Sequence, residues 1–333
     1  MPTTRPSALS PNLVGLPRSP TVARFLDFWL AHVAWTQLRF ATVRTYSSVV
    51  IHHLAPAIGA IRVSKLTASD IEKAQLVWQR AGVTVWMRRK AVEVLRSALN
   101  HAVALGVCEH NVARRASIPR KRDRTPAWLD VGGIRSLLAD VRDHPLELAY
   151  ILAVGLGLRR GEVLGLTWAD VDLRKRQLTV KWNRVEWERG TRLMEPKTAA
   201  SRRTLVLPEL VHAALVRQRR REQRKASEAG AKVSPSDPVL TTRTRRPFWS
   251  SYLYHDLCKR LERLGLPRMR LHDLRHTAAS LLLSEGVSPR TVMEMMGHRN
   301  LEVTMFIYGH TNLRHQRVAV ATLDRAMRRH RIS

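Results

Sequence analysis

The chain carries five short segments whose residue types, taken together, could break and remake a phosphodiester bond without a metal ion. They are GLGLRRGEVLG, EPKTAASRRT, LHDLRH, MGHRN and TMFIYGH, and the side chains of interest are Arg159, Lys197, His272, Arg275, His298 and Tyr308. Such a reaction needs a nucleophile in line with the leaving oxygen and fixed donors for the charge that develops on phosphate. It also needs a proton for the leaving group.

The two arginines meet the need for fixed donors. A guanidinium keeps its proton and binds two phosphate oxygens through a planar fork, so we expect Arg159 and Arg275 to clamp a phosphate from two sides. His272 precedes Arg275 by about one helical turn and faces the same way. His272 could bind a phosphate oxygen or help to deprotonate the nucleophile, and His298 could donate a further hydrogen bond to the phosphate.

The proton donor and the nucleophile come from the remaining segments. Lys197 lies in a turn between two predicted strands, and an ammonium between two arginines would have a lowered pKa, which suits it to protonate the leaving oxygen. Tyr308 is the candidate nucleophile, whose phenolic oxygen becomes esterified. Glu162, about one turn after Arg159, either orients a catalytic side chain or makes a surface ion pair. His276 and His310 are expected to be structural or peripheral.

Each of these signals is weak alone, because single HxxR pairs and single tyrosines are common. In this order, however, the stretches GLRRGE, PKTAASRRT, HDLRHTAAS and MGHRNLEVTMFIYGH resemble the active-site segments of the tyrosine recombinase (phage integrase) family. The resemblance implies that Tyr308 attacks the phosphate and forms a covalent 3′-phosphotyrosine. The activating residues that it implies are Arg159, Lys197, His272, Arg275 and His298.

The resemblance also implies a function and partners. It implies a site-specific recombinase that integrates or excises a phage or mobile element through a four-way DNA junction. Double-stranded DNA and a tetramer on two DNA sites are the implied partners, and excision or DNA-bending proteins are candidate accessory factors. No cofactor and no metal ion are expected, since the sequence has no P-loop and no metal-ligand spacing. Three alternatives stay open: a type IB topoisomerase, a non-enzymatic DNA-binding protein of the same fold, and a basic architectural protein.

The composition agrees with a polyanionic partner. Lys and Arg number 57 against 27 Asp and Glu, giving a formal net charge of +30 over 333 residues. Such an excess of positive charge favours nucleic acid as the partner. No apolar run is long enough to span a membrane, and the N-terminus lacks the apolar core of a secretory signal. Cys108 and Cys258 cannot form a disulfide framework or zinc cluster. We therefore expect a cytoplasmic, nucleoid-associated protein.

Hydrophobic periodicity divides the chain into segments. Residues 1–20 are rich in Pro, Ser and Thr and predict a flexible tail. Residues 21–113 predict four helices without a strand, which the resemblance identifies as a SAM-like core-binding domain. Residues 114–127 predict a basic linker that lies on DNA. Residues 128–333 predict the tyrosine recombinase catalytic domain, with helices around a small antiparallel sheet of three strands.

The expected fold is therefore mainly α with a small antiparallel β-sheet (α+β), arranged as a two-domain clamp around a DNA duplex. Two basic runs leave alternatives open. The run Arg217 to Lys225 and the group Arg243, Arg245 and Arg246 could each contact phosphates or simply face solvent. The C-terminal amphipathic stretch LRHQRVAVATLDRAM could dock on a neighbouring protomer or on its own domain.

Overall fold

The computed structural model describes residues 16–119, 128–187, 190–196 and 201–297. The chain divides into two compact units, Met1–Arg124 and Thr125–Ser333. Three of the predicted site residues, Lys197, His298 and Tyr308, lie outside the described residues, as do the C-terminal amphipathic stretch and most of the predicted tail. Each unit is described by itself below.

Helices form nearly all the regular structure of the N-terminal unit within residues 16–119, apart from one isolated β-bridge between Thr21 and Arg62. Its α-helices are α1 (Val22–Trp29), α2 (Trp35–Gln37), α3 (Phe40–Val49), α4 (Ala55–Ile58), α5 (Ala68–Arg80) and α6 (Val85–Ala104). One π-helical segment, Leu30–Ala34, joins α1 to α2, and another, Val50–Leu54, joins α3 to α4. The chain thus runs as four continuous helical rods, as the sequence predicts, and short 3-10 turns follow at Val63–Lys65 and Val112–Arg114.

Local capping fixes where these helices begin. The Thr67 hydroxyl accepts the Asp70 N–H at 3.2 Å, while the Asp70 carboxylate accepts the Thr67 N–H at 3.0 Å, so each satisfies an unpaired donor of the first turn of α5. The apolar faces meet in a core that includes Phe25, Trp29 and Leu95, all nearly inaccessible to solvent. Pro20, at the end of the predicted tail, is also buried, and its carbonyl accepts the Val63 N–H.

The first part of the predicted linker is fixed to this helical unit. Three side chains of α5 and α6 donate to backbone carbonyls there: Arg96 to Ala116 (2.8 Å), Gln75 to Ser117 (2.9 Å) and Arg89 to Pro119 (2.7 Å). Asn111 begins the 3-10 turn Val112–Arg114: its side-chain oxygen accepts the Ala113 N–H, and its side-chain nitrogen donates to the Arg96 carbonyl. Residues 114–119 therefore pack on the helices, and residues 120–127 lie outside the described residues.

The C-terminal unit surrounds a helix that is apolar on every side. Its helices are α7 (Val131–Asp140), α8 (Glu147–Gly155), α9 (Arg160–Gly165), α10 (Glu209–Glu228), α11 (Ser250–Arg263), α12 (Leu271–Ser284) and α13 (Pro289–Met296). α8 lies in the core and packs against α10 and α12, because most of its residues are apolar and its two polar side chains, Glu147 and Tyr150, are themselves buried and hydrogen-bonded. In the described parts of the chain, no helix combines the length and apolarity needed to cross a bilayer.

The strands form two separate antiparallel sheets. They are β1 (Val171–Asp172), β2 (Gln177–Val180), β3 (Asn183–Trp187), β4 (Gly190–Met194) and β5 (Arg203–Val206). The order in the first sheet is β1-β2-β5, with Leu178 opposite Leu205, and β3 pairs only with β4 among the described strands. The prediction of a single three-stranded sheet was therefore wrong, because the stretch RQLTVKWNRVEW is divided between the two sheets.

Gly165, at the end of α9, explains why β3 does not pair with β2 in the first sheet. A Cβ atom at Gly165 would lie 3.0 Å from the Arg184 nitrogen and 3.0 Å from the Trp182 oxygen, so glycine permits the β3 backbone to lie directly on this helix. The Arg184 guanidinium completes the contact by donating to the Leu164 carbonyl at 2.8 Å. Packing against α9, which the strand sequence does not show, thus draws β3 away from β2.

Candidate active site

Arg275 is the most deeply buried charged side chain of the described unit, with no exposed surface. It lies one turn into α12, whose start is fixed by the Asp273 carboxylate accepting the Arg270 N–H at 2.8 Å. Nη1 of Arg275 donates to the Gly157 carbonyl at 2.6 Å, and Nη2 donates to the Met296 carbonyl. Its Nε has no hydrogen-bond partner within the described part of the chain.

Among the described residues, the hydrogen-bond partners of Arg275 are neutral backbone carbonyls and not carboxylates. Burial lowers the pKa of the Arg275 guanidinium, and the neighbouring Arg159 cation lowers it further, while Glu162 opposes both effects. A buried cation whose nearest partners are neutral carbonyls gains from any anion that reaches it. Arg275 would therefore be stabilised by a bound anion, and the binding of a phosphate stays a prediction.

Arg159 and Glu162 form a closely bound pair at the start of α9. One carboxylate oxygen of Glu162 accepts Nη1 of Arg159 at 2.6 Å, and the other accepts the Arg159 backbone N–H at 3.0 Å. Glu162 is only 4% exposed, so this pair is not the surface ion pair that the sequence left open. The Arg159 side chain, by contrast, keeps 33% of its surface exposed and can reach a ligand from solvent.

Arg203 is a third arginine of the site that the sequence analysis did not identify. Its Nη2 donates to Glu162 at 3.0 Å and its Nη1 to the other Glu162 oxygen at 3.3 Å. Burial would raise the pKa of Glu162, but Arg203 and then Arg159 outweigh it and hold the pKa below its usual value. Glu162 is therefore an ionised carboxylate between two arginines.

The sequence does contain a signal for Arg203. Side chains alternate between the two faces of a strand, so Arg203 lies on the same face of β5 as the buried Leu205, with Leu207 following. A basic residue at an inward position of a strand needs an internal partner. Arg159, Glu162, Arg203 and Arg275 are called the arginine cluster below.

The three arginines of this cluster meet at the C-terminal end of α13. They bind three successive backbone carbonyls there: Arg203 to Met295 (2.6 Å), Arg275 to Met296, and Arg159 to Gly297 (2.7 Å). The last carbonyls of a helix lack internal partners and carry partial negative charge, so cations stabilise them. Gly297 ends α13 in the left-handed conformation, with φ 63°. His298 is the next residue in the sequence.

His272 lies at the start of α12 beside His276, with the two rings edge to face and their centroids 4.7 Å apart. Desolvation, followed by the charges of His276 and Arg275, lowers the pKa of His272 to about 4. His272 is therefore a neutral imidazole at physiological pH, although part of its surface remains exposed. Nδ1 of His276 is buried and has no hydrogen-bond partner in the described regions.

The structure thus brings together the described members of the predicted set. Arg159 and Arg275 occupy one cluster, and His272 is close enough to both that their charges lower its pKa. The roles predicted for Lys197, His298 and Tyr308 concern residues outside the described part of the chain and stay predictions.

The first basic run makes internal contacts. Arg217 and Arg221 donate to the buried Glu147 at 2.7 and 3.1 Å, and Lys225 donates to Glu222 at 2.9 Å. Arg219 lies over the Trp168 ring, 4.7 Å from its centroid. Arg245, from the second basic group, pairs with Asp237 at 2.9 Å. These side chains hold the unit together, so they are not simply a solvated face.

Comparison with known proteins places the chain in a family. A model described as the phage integrase family matches residues 128–315, and a model of the phage integrase N-terminal SAM-like domain matches residues 21–78. The tyrosine recombinase XerC-like protein of Caldanaerobacter subterraneus subsp. tengcongensis is 34% identical over 324 residues, covering 91% of this chain and 83% of that protein. An integrase of Saccharopolyspora erythraea is 25% identical, covering 83% of this chain and 76% of that protein.

Solved structures share the fold. An integrase fragment of transposon Tn1549 in complex with a circular intermediate DNA superposes with a TM-score of 0.76 at 19% identity, covering 92% of this chain and 100% of that one. A lambda integrase tetramer bound to a Holliday junction gives a TM-score of 0.64 at 16% identity, covering 89% and 83%. With a family model over more than half of its length and a relative 34% identical over most of it, the chain belongs to the phage integrase family of tyrosine recombinases, and its function is site-specific DNA recombination.

Proposed function

We propose that this recombinase cleaves one DNA strand with the phenolic oxygen of Tyr308 and holds the broken end as a 3′-phosphotyrosine. It then rejoins that end to a new 5′ hydroxyl. The observation that carries the proposal is the convergence of Arg159 and Arg275 on adjacent carbonyls at the end of α13. This supports the proposal, because two arginines whose guanidiniums suit a phosphate lie beside Gly297, from which the sequence continues to His298 and Tyr308.

The charge of the arginine cluster suits the reaction. Three guanidinium cations surround one carboxylate, which leaves two positive charges uncompensated in the described cluster. A phosphodiester attacked by a phenolate carries two negative charges in its pentacoordinate state. Donors that are fixed before the reaction stabilise that state without reorganising. Arg159, which is partly exposed, would bind the phosphate first, and Arg275, whose buried Nε–H has no partner among the described groups, would supply a second donor once the phosphate displaces the groups that cover it.

The proton transfers fall to the remaining residues. As the bond from the Tyr308 oxygen to phosphorus forms, the bond from phosphorus to the 5′ oxygen breaks, and Lys197 gives a proton to the leaving oxygen. The neutral His272 would accept the phenol proton or a hydrogen bond from it, which an imidazolium could not do. His298 would donate to a phosphate oxygen. Because one phosphoester replaces another, ATP hydrolysis is not needed.

The proposed partners follow from the relatives. Solved relatives of this fold are bound to DNA, and one is a tetramer on a Holliday junction. We therefore propose double-stranded DNA as the substrate and four protomers on two sites as the active assembly, with excision or DNA-bending proteins as accessory factors. Residues 21–113 would serve as the core-binding domain, 114–127 as the linker and 128–333 as the catalytic domain, so that both domains grip the duplex.

A trapped covalent complex tests the proposal. The probe is a pool of duplexes with randomised sequence around a single nick, so that the short fragment released by cleavage diffuses away and the adduct accumulates. Wild-type protein should give a DNA-linked band that survives denaturing electrophoresis, and sequencing the linked DNA gives a preferred duplex for later work. Tyr308→Phe should bind the same DNA and give no linked band.

Tyr252→Phe is the matched control. Tyr252 is 51% exposed in the same unit, so its replacement also removes a phenol hydroxyl that solvent can reach. It should give the wild-type amount of adduct. A linked band from Tyr308→Phe at the wild-type level would contradict the role of Tyr308, and no linked band from the wild-type protein would contradict the proposed reaction.

A further inference from the structure

Arg203 is the member of the arginine cluster that is bound to Glu162 and to the end of α13 and faces away from solvent. Its side chain is 8% exposed, and all three of its guanidinium nitrogens donate hydrogen bonds, to Glu162, the Ser201 carbonyl and the Met295 carbonyl. Unlike Arg275, whose Nε–H has no partner among the described groups, Arg203 therefore has no unengaged nitrogen to offer a DNA phosphate. Whatever Arg203 contributes to recombination must therefore act through the groups that it holds.

The first of these groups is Glu162. A carboxylate that is almost fully buried is costly unless it is paired and hydrogen-bonded. Arg203 supplies a donor to each Glu162 oxygen, at 3.0 and 3.3 Å, and so keeps the carboxylate ionised and in one orientation. In that orientation Glu162 accepts both the backbone N–H and Nη1 of Arg159. Arg203 thus fixes Arg159 through one intermediate residue.

The second group is the end of α13. Nε of Arg203 donates to the Met295 carbonyl at 2.6 Å, next to the carbonyls that Arg275 and Arg159 bind. This contact ties β5 to the last turn of α13. Because His298 follows Gly297 directly, the position of this turn sets where the chain leaves the helix toward His298 and Tyr308.

We propose that Arg203 is a positioning residue of the recombination site, which orients Arg159 through Glu162 and holds the end of α13 without touching the DNA. The inference rests on the proposed function. A role in folding alone would give a different result, because cleavage would then fall only in proportion to the fraction of protein that is folded.

The test compares single-turnover cleavage at saturating concentration of the duplex selected from the nicked pool. Arg203→Met keeps an unbranched side chain that fills the inner part of the same space and removes every donor. A misplacement of about 1 Å can reduce a rate by about 100-fold, and we expect a loss of that order with unchanged DNA affinity. Arg203→Lys keeps one charge and should recover part of the rate. Arg202→Met, at the exposed preceding residue, should cleave at the wild-type rate.

A double-mutant comparison separates positioning through Glu162 from an independent effect. If Arg203 acts through Glu162, Arg203→Met should lower the rate much less in a Glu162→Gln background than in the wild type. Circular dichroism and thermal melting establish the folded fraction of each variant. If Arg203→Met does not fold, Arg203→Lys and Glu162→Gln carry the comparison, and both should cleave more slowly than wild type while fully folded.

Three results would overturn the inference. The first is wild-type cleavage by folded Arg203→Met or, if that variant does not fold, by folded Arg203→Lys. The second is an equal loss of DNA affinity and cleavage rate, and the third is a fully additive loss of rate when Arg203→Met is combined with Glu162→Gln. These are distinct from failure of the proposed function, which would appear as the absence of any adduct from the wild-type protein.

Discussion

Arg275 donates Nη1 to the carbonyl oxygen of Gly157 at 2.6 Å, across a separation of 118 residues. Gly157 has φ +60°, a conformation that glycine adopts at little cost, and it directly precedes the Leu158-Arg159 pair. This bond joins the GLR segment to the HDLR segment. The two guanidiniums proposed to bind the phosphate are thus fixed relative to one another before DNA arrives, as electrostatic catalysis requires.

The first prediction concerns Arg275→Lys. An ammonium cannot reproduce the planar set of donors that binds the Gly157 and Met296 carbonyls and that we propose to bind a phosphate oxygen. Removing one such donor costs a factor of about 100 or more in rate, so we expect single-turnover cleavage to fall at least that far. Arg290→Lys is the control, since Arg290 is 84% exposed on α13 and pairs only with Glu294 among the described groups. A folded Arg275→Lys variant that cleaves as fast as wild type would contradict the proposed role of Arg275.

The second prediction concerns Lys197 as the proton donor. In a duplex with sulfur in place of the bridging 5′ oxygen, the leaving thiolate is stable without a proton. Lys197→Met should therefore cleave the ordinary duplex far more slowly than wild type and the sulfur-containing duplex at a rate close to wild type. Arg275→Lys should stay slow on both duplexes, because sulfur does not replace charge on the phosphate. Equal defects of Lys197→Met on both duplexes would exclude the proton-donor role.

The third prediction concerns the protonation of His272. Desolvation and the charges of His276, Arg275 and Arg159 lower its pKa to about 4, and the nearby Asp273 only partly opposes them. Nuclear magnetic resonance of the imidazole protons, assigned by comparison with His272→Gln, should show a midpoint near 4 in the DNA-free protein. A midpoint at or above the ordinary value of about 6.5 would contradict the neutral imidazole.

The sign of the linked effect on stability follows from the same shift. Because the folded protein binds this proton less readily than the unfolded chain, the contribution of His272 to stability is complete above about pH 6.5. It is lost as the pH falls toward about 4. His272→Gln should therefore show a weaker loss of stability than wild type between those values in urea titrations.

The fourth prediction concerns a polar network away from the site. The buried Tyr150 donates to Asp256 at 2.6 Å, and Arg260 bridges Asp256 and Asp140 at 2.7 and 2.6 Å. Tyr150→Phe removes one hydrogen bond and leaves Asp256 paired, so it should lower the free energy of unfolding by about 1 kcal/mol. Arg260→Met leaves Asp256 without its cation and Asp140 with Arg263 alone, and it should cost about 3 kcal/mol or more. Urea denaturation of both variants measures the difference, and equal losses would contradict this account.

Much of the helical architecture could be predicted from local pattern. The spacing of apolar residues and helix caps such as Thr67 with Asp70 depend on residues that are close in the sequence. The order of helices in both units can therefore be predicted from the sequence. The two sheets could not be predicted in the same way. The alternation of Leu178, Val180 and Trp182 runs on without interruption, and only the contact of β3 with Gly165 of α9 separates the strands.

The site shows the same division. The order of motifs identified Arg159, His272 and Arg275, because their chemistry is evident from residue type and spacing. The role of Arg203 in the site was not predicted, because a basic residue is usually interpreted as a surface residue. Its partners, Glu162 and the Met295 carbonyl, lie far away in the sequence. The same limitation applies to residues 114–119, whose binding to α6 depends on backbone carbonyls that no side-chain pattern reveals.

The most direct test of the covalent mechanism is to map the DNA-linked residue. Adduct from the nicked duplex is digested with nuclease and trypsin, and the modified peptide is sequenced by mass spectrometry. Cleavage after Arg299 and Arg314 yields a peptide, residues 300–314, in which Tyr308 is the only tyrosine. The account predicts a nucleotide linked through phosphate to Tyr308 of that peptide. A nucleotide on any other residue, Tyr252 or Tyr254 included, would contradict it.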